Sequence, residues 1–399
     1  MRGSGALALA AAIALLTGCT TTPQKPAASL PTETRFEPAQ WHDIDGWQRD
    51  ALADAWPALQ SSCRSARLAV AWKSFCTDAL RITITDTAAQ RRLLESQLKP
   101  WRVMSVSGDA AHRIASDKGL ITGYYEPLLK GARRRGGAFQ TPLYAVPDDL
   151  LTVDLADAYP QLAGTRVRGR LQGKRVVPYP DRAQLADGRM LAGRELLWVD
   201  SAVDAFFLQI QGSGRVQLAD GSTVRLAFAD VNGRPYRAVG RYLVDKGEMT
   251  LEQVTAPALR QWLAAHPERQ QEVFNQNPSV VFFREEALPD ATVGPKGALG
   301  VPLTPGRSIA IDPSLLPLGA PMFLSTTHPV SGVPLQRLVV AQDTGGAIRG
   351  APRADLFWGW GPDAADNAGL MRGQGTLWLL WLAGETPPAP RTAAQPAAN

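Results

Sequence analysis

The pattern of apolar and polar positions predicts many short strands separated by turns that are rich in glycine and proline. The clearest pair is a hairpin, in which Arg215 to Leu218 and Thr223 to Phe228 flank the turn Ala219 to Ser222. The other predicted strands are Phe139 to Val146, Arg170 to Val177, Ser308 to Asp312, Pro321 to Ser325, Leu335 to Asp343 and Thr376 to Leu382.

A smaller number of helices is predicted where apolar residues recur at helical spacing, as Trp41, Ile44 and Trp47 do. The predicted helices are Pro38 to Gln60, Ser65 to Leu80, Thr87 to Gln97, 255–265 and 266–276. The expected fold class is therefore mainly β with helices (α+β). Many short strands with Gly/Pro turns favour barrels over a doubly wound parallel sheet.

The N-terminus has the features of an exported lipoprotein. Arg2 precedes an apolar stretch, Ala6 to Leu16, that is too short to span a bilayer and has the length of a signal peptide. The stretch ends in Leu-Thr-Gly-Cys, which resembles a lipobox with Cys19 as the lipidated residue, and Thr20 favours sorting to the outer membrane. We therefore predict a signal peptide over 1–19, a tether over 20–37, and an outer-membrane lipoprotein that faces the periplasm of a Gram-negative cell.

Two cysteines remain after Cys19, and an exported compartment allows Cys63 and Cys76 to form a structural disulfide. Closing this short loop would stabilise the fold by roughly 3 kcal/mol. A thiol nucleophile or a metal site is the alternative, but the four histidines are dispersed without the spacing of zinc ligands. We predict no metal.

Composition indicates a folded protein of about 350 residues between the tether and a disordered tail over 386–399, enough for two domains. The net charge of +5 permits attraction to an acidic polymer or to an anionic membrane. The basic run Lys130 to Arg135 is most simply a solvated loop, and the export signal argues against nucleic acid as a partner.

Three aspartates at strand ends or turns form the candidate catalytic cluster. Asp343 ends a buried strand, and Asp355 follows twelve positions later, directly before Leu, Phe and Trp. Apolar surroundings raise the pKa of a carboxyl by desolvation, which suits a proton donor that works near neutrality. Asp312 ends another predicted strand. It is either a substrate-binding residue or the residue that closes a turn before Pro313.

Two further segments contain the side chains that proteins use to bind sugars. Thr122, Tyr124 and Tyr125 lie in the run Thr-Gly-Tyr-Tyr-Glu-Pro, and Gln211 and Ser213 follow the apolar run that starts at Phe206. Aromatic rings pack on the C–H faces of pyranoses, and amides bind their hydroxyls. The simpler interpretation of these segments is a turn and a core element.

These segments together are the basis of a family resemblance. The runs Thr-Gly-Tyr-Tyr-Glu-Pro, Gln-Gly-Ser-Gly, Asn-Pro-Ser-Val-Val-Phe-Phe, Asp-Thr-Gly-Gly-Ala-Ile and Ala-Asp-Leu-Phe-Trp-Gly occur in the order found in the membrane-bound lytic murein transglycosylase A family. The similarity extends from about Pro38 to Leu382. The C-terminal region, which contains Asp312, Asp343 and Asp355, resembles the three-aspartate double-psi β-barrel domain of wall-active proteins.

The resemblance implies a barrel domain built from both ends of the chain, 38–126 and 287–385, with a second β-rich domain inserted over 127–286. A groove between the two would bind peptidoglycan glycan strands. It implies cleavage of the β-1,4 bond between N-acetylmuramic acid and N-acetylglucosamine without water, leaving a 1,6-anhydro end. Asp355 would act as acid and then base, and Asp343 would be a neighbouring carboxylate that keeps it protonated or orients it.

Other partners implied by the resemblance are outer-membrane lipid, through Cys19, and other wall-remodelling proteins. No cofactor is expected, because the sequence contains no Walker A, His-Glu-x-x-His or Rossmann fingerprint. Two alternatives stay open at this point. One is a peptidoglycan hydrolase that uses Asp343 and Asp355 as an acid and base pair, and the other is a non-catalytic glycan-binding lipoprotein.

Overall fold

The structure is a computed structural model that describes residues 32–68, 70–108, 112–159, 167–288 and 290–389. The signal peptide with Cys19, residues 20–31 of the predicted tether, and residues 390–399 of the tail lie outside the described residues. The helices are α1 Leu52–Cys63, α2 Lys73–Ala79, α3 Thr87–Gln97, α4 Arg182–Leu185, α5 Ala202–Gln211, α6 Gly240–Asp245, α7 Ala256–Ala265, α8 Gln270–Phe274 and α9 Pro362–Leu370.

Most of the regular structure is β. The strands are β1 Thr32–Pro38, β2 Leu98–Gly108, β3 Arg113–Ser116, β4 Gly119–Glu126, β5 Leu128–Ala132, β6 Thr141–Tyr144, β7 Leu151–Val153, β8 Val167–Gln172, β9 Arg175–Pro178, β10 Glu195–Val199, β11 Gly214–Leu218, β12 Thr223–Val231, β13 Val281–Glu286, β14 Ser308–Ile311, β15 Pro321–Thr327, β16 Pro334–Thr344, β17 Ala354–Trp360 and β18 Arg372–Leu382.

Six strands close into a barrel in the order β18, β15, β16, β14, β17 and β4, and pairing of β4 with β18 completes the ring. Two of the pairs, β14 with β16 and β17 with β4, are parallel, and the other four are antiparallel. Strand β2 extends the sheet from β18 and pairs with β1 and β3. The predicted α+β class with a double-psi barrel is confirmed.

A second sheet is built entirely from the segment between β4 and β14. Its order is β13, β12, β11, β5, β10 and β6, and a bridge between Ala145 and Phe283 brings the end of β6 back to β13. Strands β7, β8 and β9 form a separate three-stranded sheet. The barrel is thus made from both ends of the chain, because an entire second sheet separates β4 from β14.

The two sheets enclose separate hydrophobic cores. Apolar residues of β14 to β18 fill the barrel core, and α1 to α3 cover it from outside. The side-chain amide of the buried Gln342 donates to the carbonyl oxygen of Ala58 at 2.8 Å, which ties α1 to β16. A disulfide between Cys63 and Cys76 links the end of α1 to α2. These contacts fix the outer layer on the strand that ends near Asp343.

Predictions for several elements are confirmed. Helix α3 has the predicted bounds, α7 differs from its prediction by one residue, and β14, β15 and β16 lie within two residues of theirs. The β11–β12 hairpin also forms. Strand β18 starts four residues earlier than predicted, and β6 covers only the middle of its predicted range.

The long helix predicted over 38–60 is wrong in its first half, which forms two 3-10 turns, Trp41–Asp43 and Trp47–Arg49. Gly46 separates them with a left-handed backbone (φ +85°), which ends any helix at that point. The extended Asp50 then accepts hydrogen bonds from Arg307 at 2.8 Å and from the backbone of Leu338 at 2.7 Å. This attachment to the barrel delays the helix start to Leu52.

Four other predictions need correction. The helix over 65–80 is confined to α2 after a 3-10 turn, and the helix over 266–276 is a 3-10 turn followed by α8. The strand over 170–177 is two strands, β8 and β9, because the chain turns back at Gly173. The tether over 20–37 is too long, because its last residues form β1, which pairs with β2 from Thr32 to Pro38.

Candidate active site

Strand β4 carries the contacts that bring two aspartates to one face of the barrel. The hydroxyl of Thr122 donates to Asp355 Oδ1 at 2.7 Å, and the phenol of Tyr124 donates to Asp343 Oδ2 at 2.9 Å. Residues two apart in a strand point to the same face, so Thr122 and Tyr124 hold the two carboxylates side by side. Asp355 also lies directly opposite Thr122 in the β4–β17 ladder.

Asp343 is held from its other side by backbone. The amide of Ala298 donates to Asp343 Oδ1 at 2.9 Å, from the loop that precedes β14. A Cβ atom at Gly297 would lie 2.5 Å from the carbonyl oxygen of Gln342, so only glycine lets this loop approach so closely. Burial raises the pKa of Asp343, against the opposing effect of its hydrogen bonds.

Asp355 is the second aspartate of this face whose carboxyl pKa is raised. Burial raises its pKa from 3.8 to about 6, although the hydrogen bond from Thr122 and the charge of Arg353 favour the ionised form. The charge of Asp343 raises the pKa further, but as the smallest of these causes. The sequence-based expectation of an apolar setting is therefore met, and desolvation has a larger effect than repulsion between the two aspartates.

The neighbouring side chains complete this face. The ring of Tyr124 packs on Phe357 at 5.2 Å between centroids, and burial raises the pKa of Tyr124 well above its ordinary value. The phenol therefore remains a hydrogen-bond donor at neutral pH. The guanidinium of Arg353 donates to the carbonyl oxygens of Leu120 and Ala354. Asp355 therefore receives only a neutral hydroxyl as its side-chain donor within the described contacts.

Asp312 is placed differently from the other two aspartates. Its buried carboxylate accepts the hydroxyl of Ser314 at 2.6 Å, the backbone amide of Ser314 at 3.1 Å and the amide of Gly350 at 3.0 Å. These bonds close the turn after β14 and tie it to the loop between Asp343 and Asp355. Asp312 therefore closes a turn, and its predicted role in substrate binding stays a prediction.

Tyr125 is placed differently from Thr122 and Tyr124, and its predicted role in sugar binding stays a prediction. Its side chain lies on the face of β4 opposite Thr122 and Tyr124, because neighbouring strand residues alternate. There it lies near Arg260, and burial raises its pKa. Gln211 does reach β4, since its side-chain oxygen accepts the amide of Tyr125 at 3.0 Å. Ser213 lies between α5 and β11 and makes no side-chain hydrogen bond among the described contacts.

Another buried carboxylate, that of Glu126, marks where the chain leaves the barrel. Glu126, the last residue of β4, pairs with Arg215 at 2.8 Å and Arg225 at 2.6 Å, and all three side chains are buried. Both guanidiniums also donate to the carbonyl oxygen of Val293, on the segment that returns to the barrel. The guanidinium of Arg215 stacks over Trp360, at the end of the strand that carries Asp355, 4.2 Å from the ring centroid.

Sequence reasoning missed Ala298, Arg353 and this ion cluster. Ala298 acts only through its backbone amide, which no side-chain pattern reveals, and the arginines become significant only once the two sheets meet. Within the described residues, no group of three or more His, Cys, Asp or Glu side chains is arranged to hold a metal ion. None of the described helices combines the length and apolar character needed to cross a membrane.

Known proteins match both parts of this architecture. Residues 307–381, from β14 almost to the end of β18, match the 3D domain, and residues 120–284 match the MltA specific insert domain. The chain therefore belongs to the class of proteins in which a 3D barrel is combined with an inserted domain. More specifically, it belongs to the membrane-bound lytic murein transglycosylase A family, as the following relatives establish.

MltA from Neisseria gonorrhoeae is 34% identical in a comparison that covers 93% of this chain and 100% of that one, with a TM-score of 0.74. Escherichia coli MltA with bound chitohexaose is 25% identical over 88% of this chain and 95% of that one, with a TM-score of 0.64. Membrane-bound lytic murein transglycosylase A of Escherichia coli K12 is 34% identical over 267 residues. That match spans 65% of this chain and 65% of the relative's length.

Proposed function

We propose that this protein is a lytic transglycosylase that cleaves the β-1,4 bond between N-acetylmuramic acid and N-acetylglucosamine in peptidoglycan. The muramyl C6 hydroxyl, rather than water, attacks C1 and leaves a 1,6-anhydromuramic acid end. Membership of the murein transglycosylase A family supports the reaction class. The observation that carries the mechanism is the partly buried Asp355 carboxyl, whose pKa is raised to about 6 and whose side-chain donor is a neutral hydroxyl.

One carboxyl is sufficient for this reaction. The Asp355 proton passes to the glycosidic oxygen as the C1–O bond breaks, and positive charge develops at C1. The Asp355 carboxylate then takes the proton of the C6 hydroxyl while O6 bonds to C1. Asp355 is protonated again at the end, and no water is consumed. A hydrolase would instead need a second carboxyl that activates water or forms a glycosyl intermediate.

Thr122, Tyr124 and Asp343 position and tune this group in the proposed mechanism. The Thr122 hydroxyl fixes one oxygen of Asp355 and leaves the other for the substrate. Asp343, held by Tyr124 and by the Ala298 amide, contributes negative charge beside the positive charge that develops at C1. Gln211 borders the glycan where α5 meets β4, and Ser213 remains a candidate contact just beyond it.

We propose the two domains as 38–126 with 287–385 and 127–286, with the glycan strand in a groove between them. The pairing of β4 with β17 puts Asp355 on the barrel side of that boundary, and α5 contributes Gln211 from the other side. The bound chitohexaose in the Escherichia coli MltA structure supports a glycan ligand for the same fold. Aromatic and amide side chains near the boundary suit such a ligand.

A hydrolase is the second candidate, because Thr122 and Tyr124 hold two carboxylates on one face of the barrel. Digestion of purified peptidoglycan in H₂¹⁸O separates the two functions. A lytic transglycosylase releases muropeptides that contain no ¹⁸O and are one water lighter than the hydrolytic products. Reducing ends that carry ¹⁸O would establish the hydrolase instead. Strands that are bound but left intact would indicate a glycan-binding lipoprotein.

We further propose attachment to the outer membrane through lipid on Cys19, with the protein facing the periplasm and available to other wall-remodelling proteins. The name of the Escherichia coli relative, a membrane-bound enzyme, supports this location. Metabolic labelling with a radioactive fatty acid tests it. Label should enter the wild-type protein and be absent from Cys19→Ala, and label retained by that variant would refute the anchor.

A further inference from the structure

The loop that supplies the Ala298 amide to Asp343 rests on a segment from the other end of the chain. This supporting segment, residues 64–68, follows Cys63, the last residue of α1, which is bonded to α2 through the disulfide. The hydroxyl of Ser65 donates to the carbonyl oxygen of Leu299 at 2.7 Å. The guanidinium of Arg67 donates to the carbonyl oxygen of Ala298 at 2.5 Å.

Ala298 and Leu299 connect the supporting segment to β16 through all four of their backbone polar groups. Their two carbonyl oxygens accept from the supporting segment, and their two amides donate to the end of β16. The Ala298 amide donates to Asp343 Oδ1 and the Leu299 amide to the carbonyl oxygen of Gln342, both at 2.9 Å. The supporting segment therefore determines where the Ala298 amide lies relative to Asp343.

Apolar packing fixes the same interface. Leu68 packs on the barrel core, and a Cβ atom at Gly319 would lie 2.4 Å from its side chain and 3.4 Å from that of the buried Leu299. The side-chain amide of Gln342 also donates to the hydroxyl of Ser62 in α1 at 2.8 Å. A close-packed interior passes on a displacement, so a change in the supporting segment reaches the end of β16.

We propose that Ser65 and Arg67 are positioning residues of the transglycosylase, which keep the Ala298 amide on Asp343 while positive charge develops at C1. This inference rests on the proposed function. The two side chains act through the backbone of residues 298–299 and not on the substrate. A carboxylate held in place in advance stabilises the charge at C1 better, because it needs no rearrangement during the reaction.

The ionisation of Asp343 reports the position of this loop. Burial raises the pKa of Asp343, whereas the backbone amide of the following residue, the Ala298 amide and the phenol of Tyr124 lower it. Asp355 on β17 is the other titratable group with which Asp343 interacts, and Lys296 in the same loop is exposed. Loss of the Ala298 hydrogen bond should therefore raise the pKa of Asp343 further.

A mutant cycle with the full-length protein in detergent tests the proposal. The variant Ser65→Ala/Arg67→Met removes both donors and keeps most of the aliphatic stem of Arg67. The control Ser61→Ala/Arg64→Met removes the same two groups from side chains that form no hydrogen bond with any described residue. On peptidoglycan, kcat should fall about fivefold in the variant, the order of one hydrogen bond, with KM unchanged. The control should stay within a factor of two of wild type.

The second half of the cycle is made in an Asp343→Ala background, where the Ala298 amide has no carboxylate to hold. There the Ser65→Ala/Arg67→Met changes should lower kcat less than twofold. An equal loss in both backgrounds would overturn the proposal, because the two residues would then act independently of Asp343. Wild-type kcat in the Ser65→Ala/Arg67→Met variant would overturn it as well.

An NMR titration of ¹³C-labelled aspartate carboxyls tests the same point without turnover. The resonance that disappears in Asp343→Asn identifies the group. Its midpoint should move to higher pH in Ser65→Ala/Arg67→Met and, by less, in Ser65→Ala, which removes no charge. Partial unfolding would move it the other way, toward 3.8, because the pKa of Asp343 is raised in the folded protein.

The titration also separates this inference from the proposed function. An unchanged or lower midpoint in both variants would overturn the positioning role, whatever the enzyme releases. Reducing ends released by the wild-type protein, together with the expected rise of the midpoint, would refute the transglycosylase and keep Ser65 and Arg67 as residues that position Asp343.

Discussion

Two carboxylates lie at β4, about 13 Å apart along the strand. Glu126 is the last residue of β4 and is surrounded by cations, whereas Asp355 of β17 lies beside Thr122 of β4 and has no ion-pair partner of this kind among the described residues. Glu126 is fully buried between the guanidiniums of Arg215 and Arg225. Asp355 is only partly buried, and it accepts a hydrogen bond from the neutral hydroxyl of Thr122. The nearby Arg353 donates its hydrogen bonds to backbone carbonyl oxygens and not to the Asp355 carboxylate.

This difference explains why Glu126 has a structural role, whereas Asp355 is a reactive group. The two guanidiniums compensate the desolvation of Glu126. They also join the two chain segments that connect the barrel to the second sheet. Asp355 has no such ion pair with any described residue, and the Thr122 hydrogen bond and the charge of Arg353 offset its desolvation only in part. Burial therefore raises its pKa to about 6, and the carboxyl holds a proton that it can transfer near neutral pH. A buried carboxylate is thus a better candidate for catalysis when its donors are neutral than when they are arginines.

Replacement of the reactive group should have the largest effect on turnover. Asp355→Asn removes the only proposed acid and base, and we expect activity to fall by at least about 10²-fold. Release of anhydro-muropeptides from peptidoglycan measures the loss. Turnover within a factor of two of wild type would remove Asp355 from the mechanism.

Folding of the same variant is checked by its thermal unfolding. The pKa of Asp355 is raised in the folded state, so its ionisation destabilises the fold progressively as pH rises from 3.8 to about 6. Asp355→Asn should therefore melt no lower than wild type at pH 7, and any gain in stability should vanish below pH 4.

Disruption of the ion cluster of Glu126, Arg215 and Arg225 should mainly affect the stability of the fold. Glu126→Gln leaves two buried guanidiniums without their counter-charge, and we expect the free energy of unfolding to fall by about 3–5 kcal/mol. Urea unfolding followed by circular dichroism measures this loss. The control is Glu285→Gln, because Glu285 pairs with Arg133 at the surface and should cost less than about 1 kcal/mol. A similar loss in the free energy of unfolding for the two variants would contradict a structural role for the Glu126 ion cluster.

Asp343→Asn should slow turnover, by about tenfold, and change its pH dependence. Loss of a neighbouring negative charge makes it easier for Asp355 to ionise, so the basic limb of kcat/KM should move to lower pH. The shift should be small, because desolvation contributes more than Asp343 to the raised pKa. A shift to higher pH would show that Asp343 stabilises the ionised form instead.

Thr122→Val should have the smallest effect and the opposite sign. The hydroxyl stabilises the Asp355 carboxylate, so its loss raises the pKa and moves the basic limb to higher pH. The pH profiles of Thr122→Val and Asp343→Asn, measured side by side, serve as controls for each other. Shifts in the same direction would disprove the hydrogen-bond assignment.

Much of the barrel could be predicted from sequence, because strands such as β15 and β16 are apolar runs with clear turns at both ends. The helix predicted over 38–60 failed because Trp41, Ile44 and Trp47 have helical spacing but pack through 3-10 turns on either side of Gly46. Tertiary attachment of Asp50 to the barrel overrides the local pattern there. The parallel pairing of β4 with β17 joins residues more than 200 positions apart, beyond the reach of any local signal.

The residues of the candidate site also fall into two groups, those that the sequence could identify and those that it could not. Asp355 and its apolar context could be identified from neighbouring residues, as could the motif that contains Thr122 and Tyr124. Tyr125 was grouped with them because it is adjacent in sequence, although strand alternation turns its side chain to the other face. The contribution of Ala298 could not be predicted, because a backbone amide leaves no trace in residue type.

The central claim, that Asp355 holds a proton near neutral pH, is tested most directly by NMR titration of ¹³C-labelled aspartate carboxyls. The resonance that disappears in Asp355→Asn identifies the group. We predict that its shift titrates with a midpoint near pH 6. A midpoint close to 3.8, the ordinary value for an aspartate, would contradict the account, because the group would then be ionised and unable to act as the acid.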